Sequence, residues 1–276
     1  MKKSENGMSY FDFRECGTGA VHLSYGNAKT GQVLAYNVPI HNTCTHACEC
    51  YKTRACYACG GFYAFESNQR LYAENLAYFM NHSSADFVAA VVDEIRRAPK
   101  KCQALFRWFT CGDILSLRFF GCMVEIARQC PGVRFWCYTK KYQIVNRWIA
   151  ENGAIPENLA IIFSHWMNAD GSFFEMPNPY NLPTSEYIPA GSENLATAAR
   201  HICPCSNPAV KATCAGCDHP CYTLKAGESM ALLEHSTPAT KTRDKALKKA
   251  HNGEPLTAEE RAALEPLRAL HLIAAE

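Results

Sequence analysis

The placement of cysteine constrains this chain more than any other feature of its sequence. Ten of its sixteen cysteines lie in two short clusters, which we call the front set and the rear set. The front set comprises Cys44, Cys48, Cys50, Cys56 and Cys59, and the rear set comprises Cys203, Cys205, Cys214, Cys217 and Cys221. Thiolates bind zinc and iron strongly, and several at short intervals can surround one centre without closing a large loop. The pattern therefore predicts two metal sites.

A disulfide framework is the main alternative, and the rest of the sequence argues against it. The start of the chain has two lysines but no apolar stretch behind them, so we expect no secretory signal and no oxidising compartment. A chain of 276 residues that is 48% hydrophobic can bury a core without crosslinks. No run of about 18 apolar residues is present, so no membrane span is expected. We therefore expect a cytoplasmic protein whose cysteine clusters are metal or redox sites.

Charge excludes one function class for the chain as a whole. With 28 basic and 26 acidic residues, the formal net charge of +2 is too small for a protein that binds nucleic acid over its whole surface. A local basic run in a predicted amphipathic helix consists of Lys241, Arg243, Lys245, Lys248 and Lys249. This run could make a weak contact with nucleic-acid phosphate, although a solvated helix face is the simpler interpretation.

Short apolar runs alternate with helical patterns along most of the chain. Strands are predicted at 21–25, 32–38, 104–110, 133–139, 159–166 and 228–236, and helices at 66–97, 117–130, 142–152 and from about 240 onward. Buried strands separated by helices are typical of a parallel sheet built from βα units. The sequence therefore predicts an α/β fold, with a partial or full (β/α) barrel as the leading architecture and a doubly wound open sheet as the alternative.

The chain divides into three predicted regions. Residues 1–200 form the core with an N-terminal hairpin, 201–236 hold the rear set and a closing strand, and 237–276 form a helical tail. Within the core, 167–201 is rich in Pro, Asn, Ser and Gly, and this composition predicts a long loop over the sheet.

Local signals predict where several helices begin and end. Ser84 is expected to cap the helix that follows an interruption near 82–84. Thr257 and Glu260 form a capping-box pattern, and Pro266 is expected to kink or end the last helix. The tail has an apolar side that could pack on the core or on a partner, formed by Leu264, Leu267, Leu270 and Leu272.

Polar residues follow the predicted strands at the edge where ligands bind in parallel α/β folds. The strand-end residues are Asn37, His41, Cys111, Gly112, Asp113, Tyr138, Thr139, Lys140, Ser164, His165 and Trp166. Gly112 and Asp113 could expose backbone groups and a carboxylate to a ligand, or Asp113 could cap the next helix. Cys111 is a candidate catalytic thiol, while burial is the default for the other scattered cysteines.

Several of these motifs together resemble one known family. Thr43-Cys44, Cys56-Tyr57-Ala58, RWFTCGDI, VRFWCYTK and IFSHW, followed by HICPCSN, ATCAGCDHPCYT and ALLEHS, resemble the phage gene product 88 family, which is similar to radical S-adenosylmethionine (radical SAM) enzymes. The likeness covers roughly residues 30–236. It implies a barrel-like fold whose front set binds a 4Fe-4S cluster, with S-adenosylmethionine on its open iron and a 5'-deoxyadenosyl radical as the product. It also implies an external electron donor such as flavodoxin or ferredoxin; the substrate is unknown.

The resemblance assigns roles residue by residue. Cys44 and Cys56 are the implied cluster ligands, with Cys50 between them and Cys48 as its rival. The usual radical SAM motif, Cys-x3-Cys-x2-Cys, is absent from this loop, which leaves Cys59 as a spare or a substitute ligand. Gly112 and Asp113 lie where radical SAM enzymes bind the methionyl amino group. The residues implied to line the cofactor or substrate are Tyr138, Thr139, Ser164 and His165.

The rear set offers a second site of four thiolates at Cys203, Cys214, Cys217 and Cys221. Zinc would make this site a structural clasp, and a second 4Fe-4S cluster would make it an electron relay or a substrate anchor. Cys205 is expected to be a bystander or an exchangeable ligand. The competing class is a non-catalytic zinc or iron-sulfur protein that binds nucleic acid or senses redox state.

Overall fold

An eight-stranded sheet is the frame of the protein. The computed structural model describes residues 1–5, 7–52, 56–166, 172, 174–190, 201–206, 212–234 and 240–269. The strands are β1 (Lys2–Lys3), β2 (Ser9–Tyr10), β3 (Leu23–Ser24), β4 (Leu34–Tyr36), β5 (Leu105–Trp108), β6 (Arg134–Thr139), β7 (Leu159–His165), β8 (Thr184–Ile188), β9 (His201–Ile202) and β10 (Ser229–Leu233). Strands β1 and β2 pair separately, and the main sheet has the order β3-β4-β5-β6-β7-β8-β10-β9.

The main sheet is parallel except at its first pair. Strands β3 and β4 form the antiparallel hairpin that the sequence predicts, and the neighbours from β4 to β9 pair in parallel. The carboxyl ends of these parallel strands therefore lie along one edge, which we call the carboxyl edge.

The helices connect and cover these strands. They are α1 (Ile40–Thr43), α2 (Glu49–Lys52), α3 (Glu66–Asn81), α4 (Ser84–Arg97), α5 (Leu117–Gln129), α6 (Tyr142–Asn152), α7 (Lys241–His251) and α8 (Ala258–Ala269). The N-cap of α4 is Ser83, whose hydroxyl accepts a hydrogen bond from the Asp86 N–H, so the predicted cap at Ser84 is wrong by one residue. Ser116 caps α5 in the same way, and the cap that Asp113 could have supplied is therefore not needed.

Helices α3 to α6 pack on the same face of the sheet. Every second residue of a strand faces the apolar sides of these helices, because successive side chains on a strand point to opposite faces of the sheet. Phe106, Trp108 and Phe135 belong to this core together with Phe79 and Phe119 from the helices. The Phe79 and Phe119 rings lie 4.6 Å apart at their centroids, in an edge-to-face arrangement.

The other face of the sheet, which we call the second face, is covered by the segment that carries the rear set. Trp136 and Ile162 are buried there against Cys214, Cys221 and Tyr222. The Trp136 and Tyr222 rings lie 5.3 Å apart at their centroids. The rear set is therefore part of the covering of the sheet and not an appended module.

The structure confirms the α/β class and the mainly parallel sheet. Strands β4 to β8 follow chain order, whereas a doubly wound sheet reverses its strand order and carries helices on both faces. Among the described strands, β3 and β9 lie at opposite ends of an open row. The predicted loop at 167–201, part of which lies outside the described residues, is corrected because β8 falls within it and pairs with β7 and β10.

The helical tail packs on the far end of the sheet. Leu247, Leu264 and Leu267 are buried against Ile188 and Leu233. Leu270 and Leu272 lie outside the described residues.

The predicted capping box is present at the start of α8. The Thr257 N–H donates to the Glu260 carboxylate at 2.9 Å, and the Glu260 N–H donates to the Thr257 hydroxyl at 3.1 Å. The helix continues through Pro266 to Ala269, so it does not end at that proline, and the kink that was the other expectation stays a prediction. None of the helices in the described part of the chain combines the length and apolar composition that crossing a bilayer requires.

Candidate metal and cofactor site

The front set lies at the carboxyl edge because its loop leaves β4 there. The Asn37 side-chain oxygen accepts hydrogen bonds from the Thr110 hydroxyl at 2.8 Å and from the Cys111 N–H at 3.0 Å. The Thr43 hydroxyl accepts a bond from the Asp113 N–H at 3.1 Å. These buried bonds hold the front loop against the end of β5.

Gly112 allows this close approach between the front loop and the end of β5. Its φ is +94°, in the left-handed region that side chains disfavour. A Cβ atom at this position would lie 2.4 Å from the Val38 Cγ2 and 2.5 Å from the Val38 carbonyl oxygen. The Gly-Asp signal in the sequence therefore reflects a backbone contact that another residue could not make.

Asp113 joins the end of β5 to the end of β6. Its carboxylate accepts hydrogen bonds from the Thr139 hydroxyl at 2.6 Å, the Ile114 N–H at 2.7 Å and the Lys140 N–H at 3.0 Å. Burial raises the pKa of Asp113, while these hydrogen bonds oppose the rise. The protein's own donors therefore occupy the carboxylate, and its predicted contact with a cofactor amino group stays a prediction.

The front thiols come together beside this edge. Cys44, Cys56, Cys59 and Cys111 belong to one apolar cluster. A hydrogen bond from the Cys59 thiol lowers the pKa of Cys56 to about 7, although burial opposes this shift. The Cys50 thiol donates a hydrogen bond to the Cys48 sulfur at a separation of 3.2 Å. The two candidates for the middle ligand therefore lie side by side.

The thiols are arranged as hydrogen-bonded groups. Among the described residues, no group of three or more His, Cys, Asp or Glu side chains is placed to hold a metal ion. Two thiolates on one tetrahedral zinc, with bonds of about 2.3 Å, lie about 3.8 Å apart. The 3.2 Å contact between Cys48 and Cys50 is shorter, so both could bind one zinc ion only if their sulfurs moved apart. The soft donors themselves suit iron-sulfur clusters and zinc.

Lys140 adds a positive charge to the front site. Burial opposes the ammonium group, but the nearby thiols of Cys50 and Cys48 hold its pKa above the usual value. The Lys140 Nζ lies 4.8 Å from the centroid of the Trp166 ring, and that ring stacks on Tyr187 at 3.8 Å. The sequence indicated Lys140 as a strand-end residue because it directly follows β6, but it indicated no role for the ammonium group.

The four residues predicted to line the cofactor do not face one common site. Thr139 contacts Asp113, whereas the Tyr138 hydroxyl donates to the Cys221 sulfur at 2.6 Å on the second face. The Ser164 carbonyl oxygen accepts a hydrogen bond from the Tyr142 hydroxyl. His165 is half-buried, which lowers its pKa. Because Ser164 and His165 are consecutive on β7, their side chains point to opposite faces of the sheet.

All five rear cysteines lie together, including the expected bystander. Hydrogen bonds from the Cys205 thiol lower the pKa of Cys203 to about 7 and that of Cys214 to about 6. Cys217 and Cys221 lie close enough to Cys203 and Cys214 for their charges to interact. Cys205 is therefore between two predicted ligands, which its spacing in the sequence did not indicate.

The β3–β4 turn holds the rear segment in place. The Lys29 and Thr30 carbonyl oxygens accept hydrogen bonds from the Cys214 and Ala215 N–H groups, each at 3.1 Å. Gly31 has a φ of +72°, and a Cβ there would lie 3.0 Å from the Ala215 Cβ. The N-terminal hairpin and the rear set are therefore in direct contact.

Arg107 lies between the two cysteine sets and was not predicted. Its Nη2 donates to the Tyr57 hydroxyl at 3.1 Å, and its Cζ lies 5.2 Å from the centroid of the Tyr138 ring. The Tyr57 hydroxyl in turn donates to the Thr110 carbonyl oxygen at 2.9 Å. The alternation of residues in the LFRW segment could have indicated its position, since it places Arg107 on the face of the sheet opposite to that of Phe106 and Trp108.

The basic run in α7 is largely engaged within the protein. Arg243 is buried and donates to the Glu234 carbonyl oxygen. Lys245 and Lys249 form ion pairs with Glu260 at 3.4 and 2.9 Å. A weak contact with nucleic acid through this run stays a prediction.

Comparison with known proteins places the chain in a family context. Residues 17–172 match the model of a family described as Gene product 88, which is more than half of the chain. No curated protein and no solved structure matches the chain. The matched residues include the front set and strands β4 to β7, whereas the rear set lies beyond them.

Proposed function

The chain belongs to the gene product 88 family, and we propose that it is a radical SAM-like iron-sulfur enzyme. The observation that carries the proposal is the meeting of the front thiols, Asp113 and Lys140 at the carboxyl edge of a parallel sheet. Ligands bind at this edge in parallel α/β folds, and three thiolates there leave one iron of a cluster open.

The shape of the sheet supports a partial barrel. Strands β4 to β8 follow chain order, and helices α3 to α6 lie on one face. A (β/α) barrel has this winding because each crossover places its helix on the outside. The second face would then be the inner surface, which the rear segment fills.

Cys44, Cys50 and Cys56 would hold the cluster, with Cys48 in place of Cys50 as the alternative. When bound, the cluster would supply one-electron reduction of the S-adenosylmethionine sulfonium, with an external donor such as flavodoxin or ferredoxin as the electron source. Lys140 places its charge beside the thiols and offsets the negative charge that thiolate ligands bring. Asp113 and Thr139 fix the position of Lys140 through the backbone. The rear set would hold a second 4Fe-4S cluster or zinc.

The proposal is tested on protein purified and reconstituted without oxygen. The wild type should contain about four irons and four sulfides per occupied cluster and should release 5'-deoxyadenosine when it is reduced with S-adenosylmethionine present. Cys56→Ala should lose the front iron and this product. Cys122→Ala, which removes a buried thiol from α5 away from both sets, should retain them. Iron-loaded, reduced wild type that releases no cleavage product would overturn the proposal.

A redox sensor is the second candidate, and the contact between the Cys50 and Cys48 sulfurs favours it. Oxidation would form one S–S bond between them, and their two protons and two electrons would reduce hydrogen peroxide to two waters. Mass spectrometry of alkylated protein after peroxide treatment should then show this bond in metal-free wild type. Its absence, with both thiols alkylated, would exclude this candidate.

A further inference from the structure

Arg107 is a half-buried cation, and its neighbours within the described part of the chain include no carboxylate. Its Nε is buried and finds no hydrogen-bond acceptor among the described residues. The neighbours that act on its charge are the hydroxyl groups of Tyr57, Tyr138 and Tyr63 and the thiol of Cys214. Among the residues that the structure describes, Arg107 forms no ion pair with Asp or Glu.

A guanidinium group that is partly withdrawn from water is stabilised by a nearby counter-charge, because burial removes part of the hydration of the charge. The surrounding phenols cannot supply the charge near neutral pH because they ordinarily lose their protons only near pH 10. The other groups within electrostatic reach of Arg107 are the thiols of Cys214, Cys221 and Cys137, and Cys137 lies in the core on the opposite face of the sheet.

We propose that Arg107 is the charge-compensating partner of an anionic thiolate centre formed by the rear set. Four thiolates around a divalent ion carry two net negative charges, and a 4Fe-4S cluster with four thiolates is also an anion. Either centre would therefore use the guanidinium group in the same way. This inference rests on the metal-binding part of the proposed function for the rear set and not on radical chemistry at the front set.

The surroundings of Arg107 fit this role. The Tyr138 hydroxyl, below the guanidinium, donates to the Cys221 sulfur at 2.6 Å, so a second donor already faces the centre. The same guanidinium contacts Tyr57, the residue after the front ligand Cys56. Arg107 is thus a positioning residue that stabilises the rear centre and also contacts the front loop. Loss of such an outer-shell partner typically weakens metal binding by about 10–100-fold.

The test isolates the rear set in the full-length chain. Serine replaces Cys44, Cys48, Cys50, Cys56 and Cys59, so that no thiol of the front set remains, and Co²⁺ alone is titrated without oxygen against a competing chelator. The readout is the thiolate-to-cobalt absorption, which Cys221→Ala should reduce. In this background Arg107→Met should weaken Co²⁺ binding by about 10–100-fold. Arg107→Lys, which keeps the charge, should recover part of the loss. Arg128→Met, an exposed position on α5, is the matched control and should bind as the background does.

The outcomes distinguish a failure of the inference about Arg107 from a failure of the rear metal site. Unchanged Co²⁺ affinity in both Arg107 variants would overturn the inference and leave the rear metal site intact. No thiolate-to-cobalt absorption in the background chain would overturn both the inference and the rear metal site. Circular dichroism shows whether each variant is folded. If Arg107→Met does not fold, Arg107→Gln, which is neutral but polar, takes its place with the same expected weakening.

Discussion

The end of β5 depends on individual residues whose size and hydrogen bonds allow little exchange. Gly112 approaches Val38 at a backbone angle that favours glycine, and Asp113 accepts one hydrogen bond from the adjacent Ile114 N–H and two from the end of β6. The contact with Val38 joins the end of β5 to the front loop, and the two bonds from Thr139 and Lys140 join it to β6. The geometry of the candidate site is therefore set by the residues around the thiols as much as by the thiols.

Gly112→Ala should destabilise the protein by about 2–4 kcal/mol, because it adds backbone strain and a clash with Val38. The free energy of unfolding in urea measures this loss. Gly132→Ala is the matched control, since a Cβ there meets no atom within 4 Å, and it should change stability little. Equal stability of the two variants would contradict the close approach at Gly112.

Two residues at the site show what sequence reasoning could not reach. Cys205 looked superfluous because a four-thiolate site is complete without it, yet its thiol lies between Cys203 and Cys214. Arg107 lies inside an apolar strand, where its alternation indicates a face but not a partner. Its neighbours come from segments more than a hundred residues apart, so only the fold brings them together. That the two cysteine sets bind metal stays a prediction of the sequence, while the structure supplies the surroundings of their thiols.

At the scale of elements, the junction between α3 and α4 depends on one serine. Ser83→Ala should destabilise the protein by about 1 kcal/mol, because the Asp86 N–H loses its acceptor at the helix start. Ser84→Ala is the control and should have a much smaller effect on thermal unfolding. A larger loss of stability in Ser84→Ala than in Ser83→Ala would support Ser84 as the N-cap, as the sequence predicts.

The start of α8 should make stability depend on pH. The Thr257 N–H and the Lys249 ammonium lower the pKa of Glu260 to about 2, below its ordinary value of 4.5. The ionised carboxylate therefore stabilises the fold above about pH 4.5, and this contribution is lost as the pH falls toward about 2.

Glu260→Gln tests this contribution. Urea unfolding should show the variant to be less stable than the wild type near neutral pH, with a difference that shrinks as the solution is acidified. Glu259→Gln, at an exposed neighbouring position, should show little difference at any pH. A constant gap between Glu260→Gln and the wild type at all pH values would contradict the assigned role of the carboxylate.

Long periodic elements were predicted well, and short ones were not. Helix α6 has the predicted bounds, and β6 differs from its prediction by one residue at its start. Strand β8 was missed because its five residues, TSEYI, carry little apolar character and follow a region rich in Pro and Asn. Its pairing with β7 and β10 depends on tertiary contacts, which override local propensity.

At the scale of the whole molecule, the helical tail is part of the core. Leu267→Ala should reduce the free energy of unfolding by about 2–5 kcal/mol, because Leu267 is fully buried among residues of the sheet and of α7. Leu71→Ala removes the same atoms from a side chain that is 38% exposed on α3 and should cost less than about 1 kcal/mol. Equal effects would mean that the tail does not pack on the sheet in solution.

The two-sided covering of the sheet also sets an order of events during synthesis. Strands β4 to β7 and their helices are complete by residue 165, but the segment that covers Trp136 and Ile162 includes Cys214 and Cys221 and is made later. A chain emerging from the ribosome therefore exposes the second face of its sheet until the rear segment arrives. A metal ion or cofactor that is to be enclosed between the second face and the rear segment can reach that face most easily during this interval.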